Sequence, residues 1–329
     1  MIRTIIIQQW RYLKRTLGIT DDYEKRTMTS SKAITQEEKM YIIVATRFNL
    51  HLHFKSNKKE KTDIPNDYYK NEIYLKKRFK LFKQFTLNSM INQSTKPDEW
   101  IILLHEETPK GIVAEFERLK NEYSFIQLMF FSDSESDNWV TIFSKYLRKK
   151  YNGIILTIRI DNDDAICNTF IQYMSECVIE HAKAYTSCFV SAIHGMQYNT
   201  YNDDIIDYHY LENHFLGYYC NSKDKFNNVY CYEHTKIDLG KTISMQSKKP
   251  LWMEVLHDSN YGNDIHRRFK ELIIPYDIYT YINSSFPNIP CRWTNRYEYY
   301  KYIAHEILDS VPIYFRALIK KIKKFFSHN

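Results

Sequence analysis

Between residues 41 and 182 two kinds of segment alternate, and this alternation restricts the fold more than any other feature of the chain. Residues 41–47 (YIIVATR), 100–104 (WIILL), 125–131 (FIQLMFF) and 153–160 (GIILTIRI) are short, nearly continuous apolar runs. Between and after them, 72–93, 112–123, 138–150 and 164–182 have helical spacing, with Leu75, Phe79, Phe82, Phe85 and Met90 recurring at steps of three to five. Apolar strands separated by amphipathic helices predict an α/β fold: a mostly parallel sheet covered by helices on both faces.

The pattern changes after residue 182. Residues 188–193 (CFVSAI) and 251–256 read as strands, with short Tyr-rich strands and loops between them. This half is expected to be mixed or antiparallel. The Lys-rich stretch 51–71 reads as an exposed loop or insertion. Without an internal repeat or a clean linker, 41–295 is expected to form one continuous domain. Its 41–182 half would bind a nucleotide and its 183–295 half an acceptor. Residues 1–40 read as a basic amphipathic extension, and 296–329 as C-terminal helices.

Charge separates the tail from the body. The net charge is +7, and residues 312–329 hold five bases (Arg316, Lys320, Lys321, Lys323, Lys324) and no acid. The body is therefore near neutral, which excludes the broad basic face of a nucleic-acid binder. In the tail, Phe315, Leu318, Ile319, Ile322, Phe325 and Phe326 form one apolar stripe opposite the bases. That is the pattern of a helix lying on an anionic membrane surface; a docked terminal helix with a solvated basic face is the alternative. The apolar run near Met1 is too short for a secretory segment, and no stretch approaches transmembrane length. Six cysteines without a C-x-x-C pair suggest buried free thiols in a reducing compartment. The expected location is cytoplasmic, peripheral to the inner face of a bacterial cell membrane.

The chemistry concentrates in Thr157-Ile158-Arg159-Ile160-Asp161-Asn162-Asp163-Asp164-Ala165. Here an apolar strand runs straight into three carboxylates. Ligands of open α/β sheets bind beyond the carboxyl ends of the strands. Clustered carboxylates repel one another unless a cation lies between them. Mg²⁺ or Mn²⁺, held by one or two carboxylates and completed by diphosphate oxygens, would meet that need. The plainer alternative is that Asp163 or Asp164 caps the following helix. Neither a Gly-rich phosphate loop nor a G-x-S-x-G elbow is present, so P-loop, dinucleotide and α/β-hydrolase readings fail.

Five blocks, in order, carry a resemblance. They are Thr46-Arg47-Phe48-Asn49, Asn88-Ser89-Met90-Ile91-Asn92-Gln93, Trp100-Ile101-Ile102-Leu103, Arg159 to Ala165, and Trp252-Met253-Glu254-Val255-Leu256-His257-Asp258-Ser259-Asn260. Together they resemble the bacterial rhamnosyltransferase family, which is similar to GT-A glycosyltransferases of surface polysaccharide synthesis. The resemblance implies a GT-A-like domain moving a sugar from a nucleoside-diphosphate donor (dTDP-rhamnose, or a UDP or GDP sugar) to a glycan or lipid-linked acceptor. It places Thr46, Arg47 and Phe48 beside the base and ribose, with Asp161, Asn162, Asp164 and Asn260 also at the donor. Asp161, Asp163 and His257 become the metal ligands. The family block commonly has Gly after the His, where this chain has Asp258. Asp258 is the candidate general base, with Glu212 and Asp207 as alternatives. Two other functions use the same residues: nucleotidyl or phospho transfer on the acidic cluster, and non-catalytic glycan binding at a membrane.

Overall fold

A strand with apolar side chains on both faces is stable only between two covering layers. The computed structural model describes residues 39–52, 64–181, 187–201, 204–223, 227–232, 242–257, 276–287 and 289, and it meets that requirement. Strands β1 (Met40–Arg47), β2 (Glu99–His105), β3 (Ile126–Phe131) and β4 (Ile154–Arg159) pair in parallel. On one face, Ile42, Val44, Trp100, Ile102 and Leu104 join one core; on the other, Ile43, Ala45, Ile101 and Leu103 join a second.

Helices cover both faces. Helix α1 (Glu72–Phe82) widens into a π turn (Lys83–Leu87) and ends in α2 (Asn88–Ile91). Its Leu75, Phe79 and Phe82, with Ile112, Phe116 and Leu119 of α3 (Lys110–Glu122), fill the first core. Phe82 stacks on Trp100 at 5.5 Å, and Phe48 meets Phe116 edge-on at 4.8 Å. Trp139, Phe143 and Leu147 of α4 (Trp139–Lys150), four residues apart, fill the second core.

The remaining elements are β5 (Ala165–Ile166), α5 (Phe170–His181), β6 (Ser187–Ala192), β7 (His194–Asn199), β8 (Asp204–His209), β9 (Leu216–Asn221), β10 (Thr242–Met245), β11 (Trp252–Leu256) and α6 (Tyr276–Ser285). The main sheet runs β10-β6-β9-β4-β1-β2-β3, and a second sheet runs β5-β11-β7-β8. Strand β9 is antiparallel to both β4 and β6, which makes the later half mixed, as expected. Both sheets draw strands from either side of residue 182. At Gly195 a Cβ would lie 2.0 Å from the Trp252 ring, so only glycine lets β7 pass that indole.

Two expectations need correction. The helix expected from residue 164 begins at Phe170. Ala165 and Ile166 instead pair with Met253 and Trp252, and the Cys167 N–H bonds Leu251 O. Tertiary pairing with β11 takes these residues out of the helix, so the acidic block does not serve as its cap. Of the stretch 51–71, residues 53–63 lie outside the described residues, and the described part is not uniformly exposed. Tyr69 is buried, and the Tyr68 hydroxyl lies 2.9 Å from both Leu50 O and Leu52 N.

None of the five described cysteines is in a disulfide. No helix among the described residues is long and apolar enough to cross a membrane. The N-terminal extension, the C-terminal helices, Cys291, Asp258 and Asn260 lie outside the described residues.

Candidate active site

In a parallel sheet every strand ends at the same edge, so side chains just beyond β1 and β4 meet. Arg47 closes β1, and Arg159 closes β4 beside Ala45. Arg159 grips Asp161 with both arms, Nε to Oδ1 at 3.1 Å and Nη2 to Oδ2 at 2.8 Å. Arg47 Nη2 is 3.6 Å from the same carboxylate. Burial opposes the Asp161 charge, but Arg159, Arg47 and His214 outweigh it and hold the carboxyl well below the usual range. Both guanidinium groups lie over the Tyr230 ring, at 5.1 Å for Arg47 and 5.5 Å for Arg159. The Tyr230 hydroxyl donates to Ala45 O at 2.9 Å, which fixes the ring.

The acidic loop is fastened from several directions. The π turn brings the buried Thr86 hydroxyl to Asp164 O at 2.9 Å and Asp161 O at 3.2 Å. Asn162 Nδ2 donates to Phe48 O at 2.7 Å. Asp164 Oδ1 accepts the Val255 N–H at 2.9 Å, and His214 Nε2 donates to Oδ2 at 2.8 Å. Burial and the neighbouring Asp163 carboxylate push Asp164 upward. Burial lowers His214, but the hydrogen bond and charge of Asp164 outweigh it and raise the imidazole. Asp163 Oδ2 receives Arg78 Nη1 at 3.0 Å and His257 Nε2 at 2.8 Å. Burial would raise Asp163, yet Arg78 and His257 hold it below the usual range.

The structure therefore gathers Arg47, Asp161, Asn162, Asp163, Asp164 and His257, which lie as far apart in sequence as β1 and β11. It deals differently with two of the residues expected beside the base. Thr46 is fully buried and accepts from Trp100 Nε1 at 2.9 Å. Phe48 turns its ring into the core among Phe79, Phe82 and Phe116 and offers the site its carbonyl. Arg78, Thr86, Arg159, His214 and Tyr230 complete the site without having been singled out from the sequence. Two left a trace: Arg159 as part of the quoted acidic block, without a role of its own, and Arg78 as a charged residue on the apolar stripe of α1 beside Leu75, Phe79 and Phe82.

The charges answer part of the argument for a metal. Arg47, Arg78, Arg159 and His214 already face the three carboxylates, so their mutual repulsion does not by itself call for an ion. The donor chemistry nevertheless suits one. Two perpendicular ligands at ~2.1 Å bond lengths stand about 3 Å apart, and Asp163 Oδ2 and His257 Nε2 are 2.8 Å apart. Asp161, Asp164 and His214 also bring ligand atoms within 4.8 Å of one another. The cluster is compatible with a divalent cation.

Residues 41–268 match the model of the family described as "Putative rhamnosyl transferase". No curated protein matches the sequence. Among solved structures, S. aureus TarS 1–349 is similar at 9% identity and a TM-score of 0.36, over 65% of this chain and 60% of that one. TarS 1–349 in complex with UDP gives 10% and 0.38, over 66% and 61%. This chain thus spans less than two thirds of the TarS chains it matches, and likenesses so distant say nothing about individual site residues. The family match, by contrast, covers more than half of the sequence, from the first strand to beyond the end of β11, and the chain belongs to this rhamnosyl transferase family of glycosyltransferases.

Proposed function

We propose that the protein transfers a sugar, rhamnose in the reading its family favours, from a nucleoside-diphosphate donor to a glycan or lipid-linked acceptor at the inner face of a bacterial membrane. One observation carries this reading. Arg47 and Arg159 converge on the single carboxylate of Asp161, above the Tyr230 ring, at the carboxyl edge of β1 and β4. Two guanidinium groups on one carboxylate leave a positive surplus. A diphosphate fits that surplus, because arginine binds phosphate oxygens bidentately. Arg47 is the more accessible of the two, at 25% side-chain exposure against 11%, and is the arm assigned to the donor.

Asp163 and His257, with Asp161 beside them, would hold Mn²⁺ or Mg²⁺. When bound, the ion supplies Lewis-acid neutralisation of the leaving diphosphate. The chain's own residues orient the donor: Arg159 fixes Asp161, Asn162 ties the loop to the end of β1, and Thr86 pins its backbone. In an inverting transfer the acceptor oxygen would bond the anomeric carbon as the diphosphate departs, and its proton would pass to a carboxylate. Asp258 follows His257 directly and Asn260 lies two positions further on; they keep their proposed roles as base and donor contact. Glu212, whose carboxylate accepts from the Tyr210 hydroxyl at 3.3 Å, is the described alternative for the base.

Calorimetric titration with dTDP, UDP, GDP and their sugars, with and without Mn²⁺, tests the proposal. One nucleoside diphosphate should bind, and Arg47→Ala and Asp161→Asn should each weaken it at least tenfold. If none binds, or if both variants bind as the wild type does, the donor site lies elsewhere.

A further inference from the structure

Arg78 is the only arginine of α1, and it projects into the site from the helix's apolar stripe with 11% side-chain exposure. Its Nη1 is 3.0 Å from Asp163 Oδ2 and 3.2 Å from His257 Nε2, and those two atoms are 2.8 Å apart. Its Nη2 donates to Asn162 Oδ1, and Asn162 in turn donates to Phe48 O. One guanidinium thus joins the acidic loop, the end of β11 and the end of β1. The same nitrogen stands within hydrogen-bond distance of two of the atoms assigned to the divalent cation. A guanidinium and a dication cannot share that place, because both are positive and both need the same carboxylate oxygen.

We propose that Arg78 is a resident counter-ion of the cation site, seated between Asp163 and His257 when no divalent cation is bound and displaced when one binds. The inference rests on the reading of that pair as cation ligands. It gives the empty site a defined state: the buried carboxylate stays neutralised and the loop stays in register, so the site is organised before the donor arrives. It also couples the two ligands. Removing the guanidinium costs binding energy that a bare ion recovers poorly, and the negative diphosphate, which offers the displaced cation a new partner, restores it. The ion and the donor should therefore bind cooperatively.

The test measures Mn²⁺ binding to the full chain by the electron paramagnetic resonance signal of the free ion. Arg78→Gln should bind Mn²⁺ alone at least tenfold more tightly than the wild type. UDP should tighten the ion far less in Arg78→Gln than in the wild type. Arg78→Lys, which keeps the charge but cannot span the three partners, should fall between. If Arg78→Gln binds Mn²⁺ no better than the wild type, the proposal is overturned, since a residue that only scaffolds the loop would weaken the ion when lost. Asp163→Asn separates the two levels of the argument. If the wild type binds no Mn²⁺ that Asp163→Asn removes, with or without UDP, the cation reading itself fails. If it does bind, and only the Arg78→Gln gain is missing, the counter-ion alone fails. Should Arg78→Gln not fold, wild-type protein labelled with ¹⁵N-arginine is titrated with Mg²⁺ and UDP. The Arg78 Nε–H resonance, assigned by its loss in Arg78→Lys, must move at saturation; an unmoved resonance overturns the proposal.

Discussion

Replacing Thr86 with valine removes one hydroxyl proton from the site and keeps the shape of the side chain. That proton lies between Asp164 O at 2.9 Å and Asp161 O at 3.2 Å. Asp161 O also receives the Asp164 N–H at 3.5 Å, so the Asp164 carbonyl carries most of the loss. Thr86 is 0% exposed, and water does not reach the gap. A buried acceptor left without its donor costs ~1–3 kcal/mol, partly offset by the added methyl at ~0.8 kcal/mol. The expected net loss in urea unfolding, followed by tryptophan fluorescence, is therefore about 0.2–2.2 kcal/mol. Thr86→Ser keeps the proton but loses a methyl, which costs ~0.5–1.5 kcal/mol by itself, so stability alone does not separate the two variants. Nucleoside-diphosphate affinity does: Thr86→Ser should retain it, and Thr86→Val should lower it severalfold because the loop bearing Asp161 and Asp163 loosens. Unchanged affinity in Thr86→Val, or equal loss of affinity in both variants, would refute the role given to the π turn.

Three other perturbations are testable. Gly195→Ala puts a Cβ 2.0–2.4 Å from three atoms of the Trp252 ring; overpacking of this kind costs ~1–3 kcal/mol, so its melting temperature should fall, and an unchanged one would contradict the close approach of β7 and β11. Burial pushes the thiols up, Cys177 to about 11 and Cys188 and Cys231 to about 12, so all three stay protonated at pH 8. Site-resolved alkylation of native protein at that pH should leave them unmodified over a period that labels the urea-unfolded chain; rapid native labelling of Cys188 would contradict its burial. Deleting residues 312–329 should release the protein from anionic liposomes without changing nucleotide binding, and unchanged sedimentation with the vesicles would refute the tail's membrane role.

How much of this could be read from the sequence depends on the range of the interactions. The runs YIIVATR, WIILL and GIILTIRI needed no partner to be recognised, because burial on both faces makes a strand apolar at every position. Helices α1, α3 and α4 declared themselves through Phe79, Phe116 and Phe143, each set among apolar residues at helical spacing. The acidic block was legible for the same local reason, since three carboxylates directly after a buried strand contrast sharply with it. Local pattern misled at Ala165 and Ile166, where helical spacing lost to pairing with Met253 and Trp252.

The sequence by itself therefore determined a parallel α/β core and the place along the chain where its chemistry gathers. Only the tertiary structure decided what neutralises that chemistry. Arg78 is separated from Asp163 by 85 positions, His214 from Asp164 by 50, and Val255 from Asp164 by 91. Nor does any local signal place β9 between β4 and β6, the insertion that opens the later half of the chain onto the same sheet. The physical reason is that periodicity reports which face of an element is buried, while the partner on that face is chosen by packing the whole chain at once.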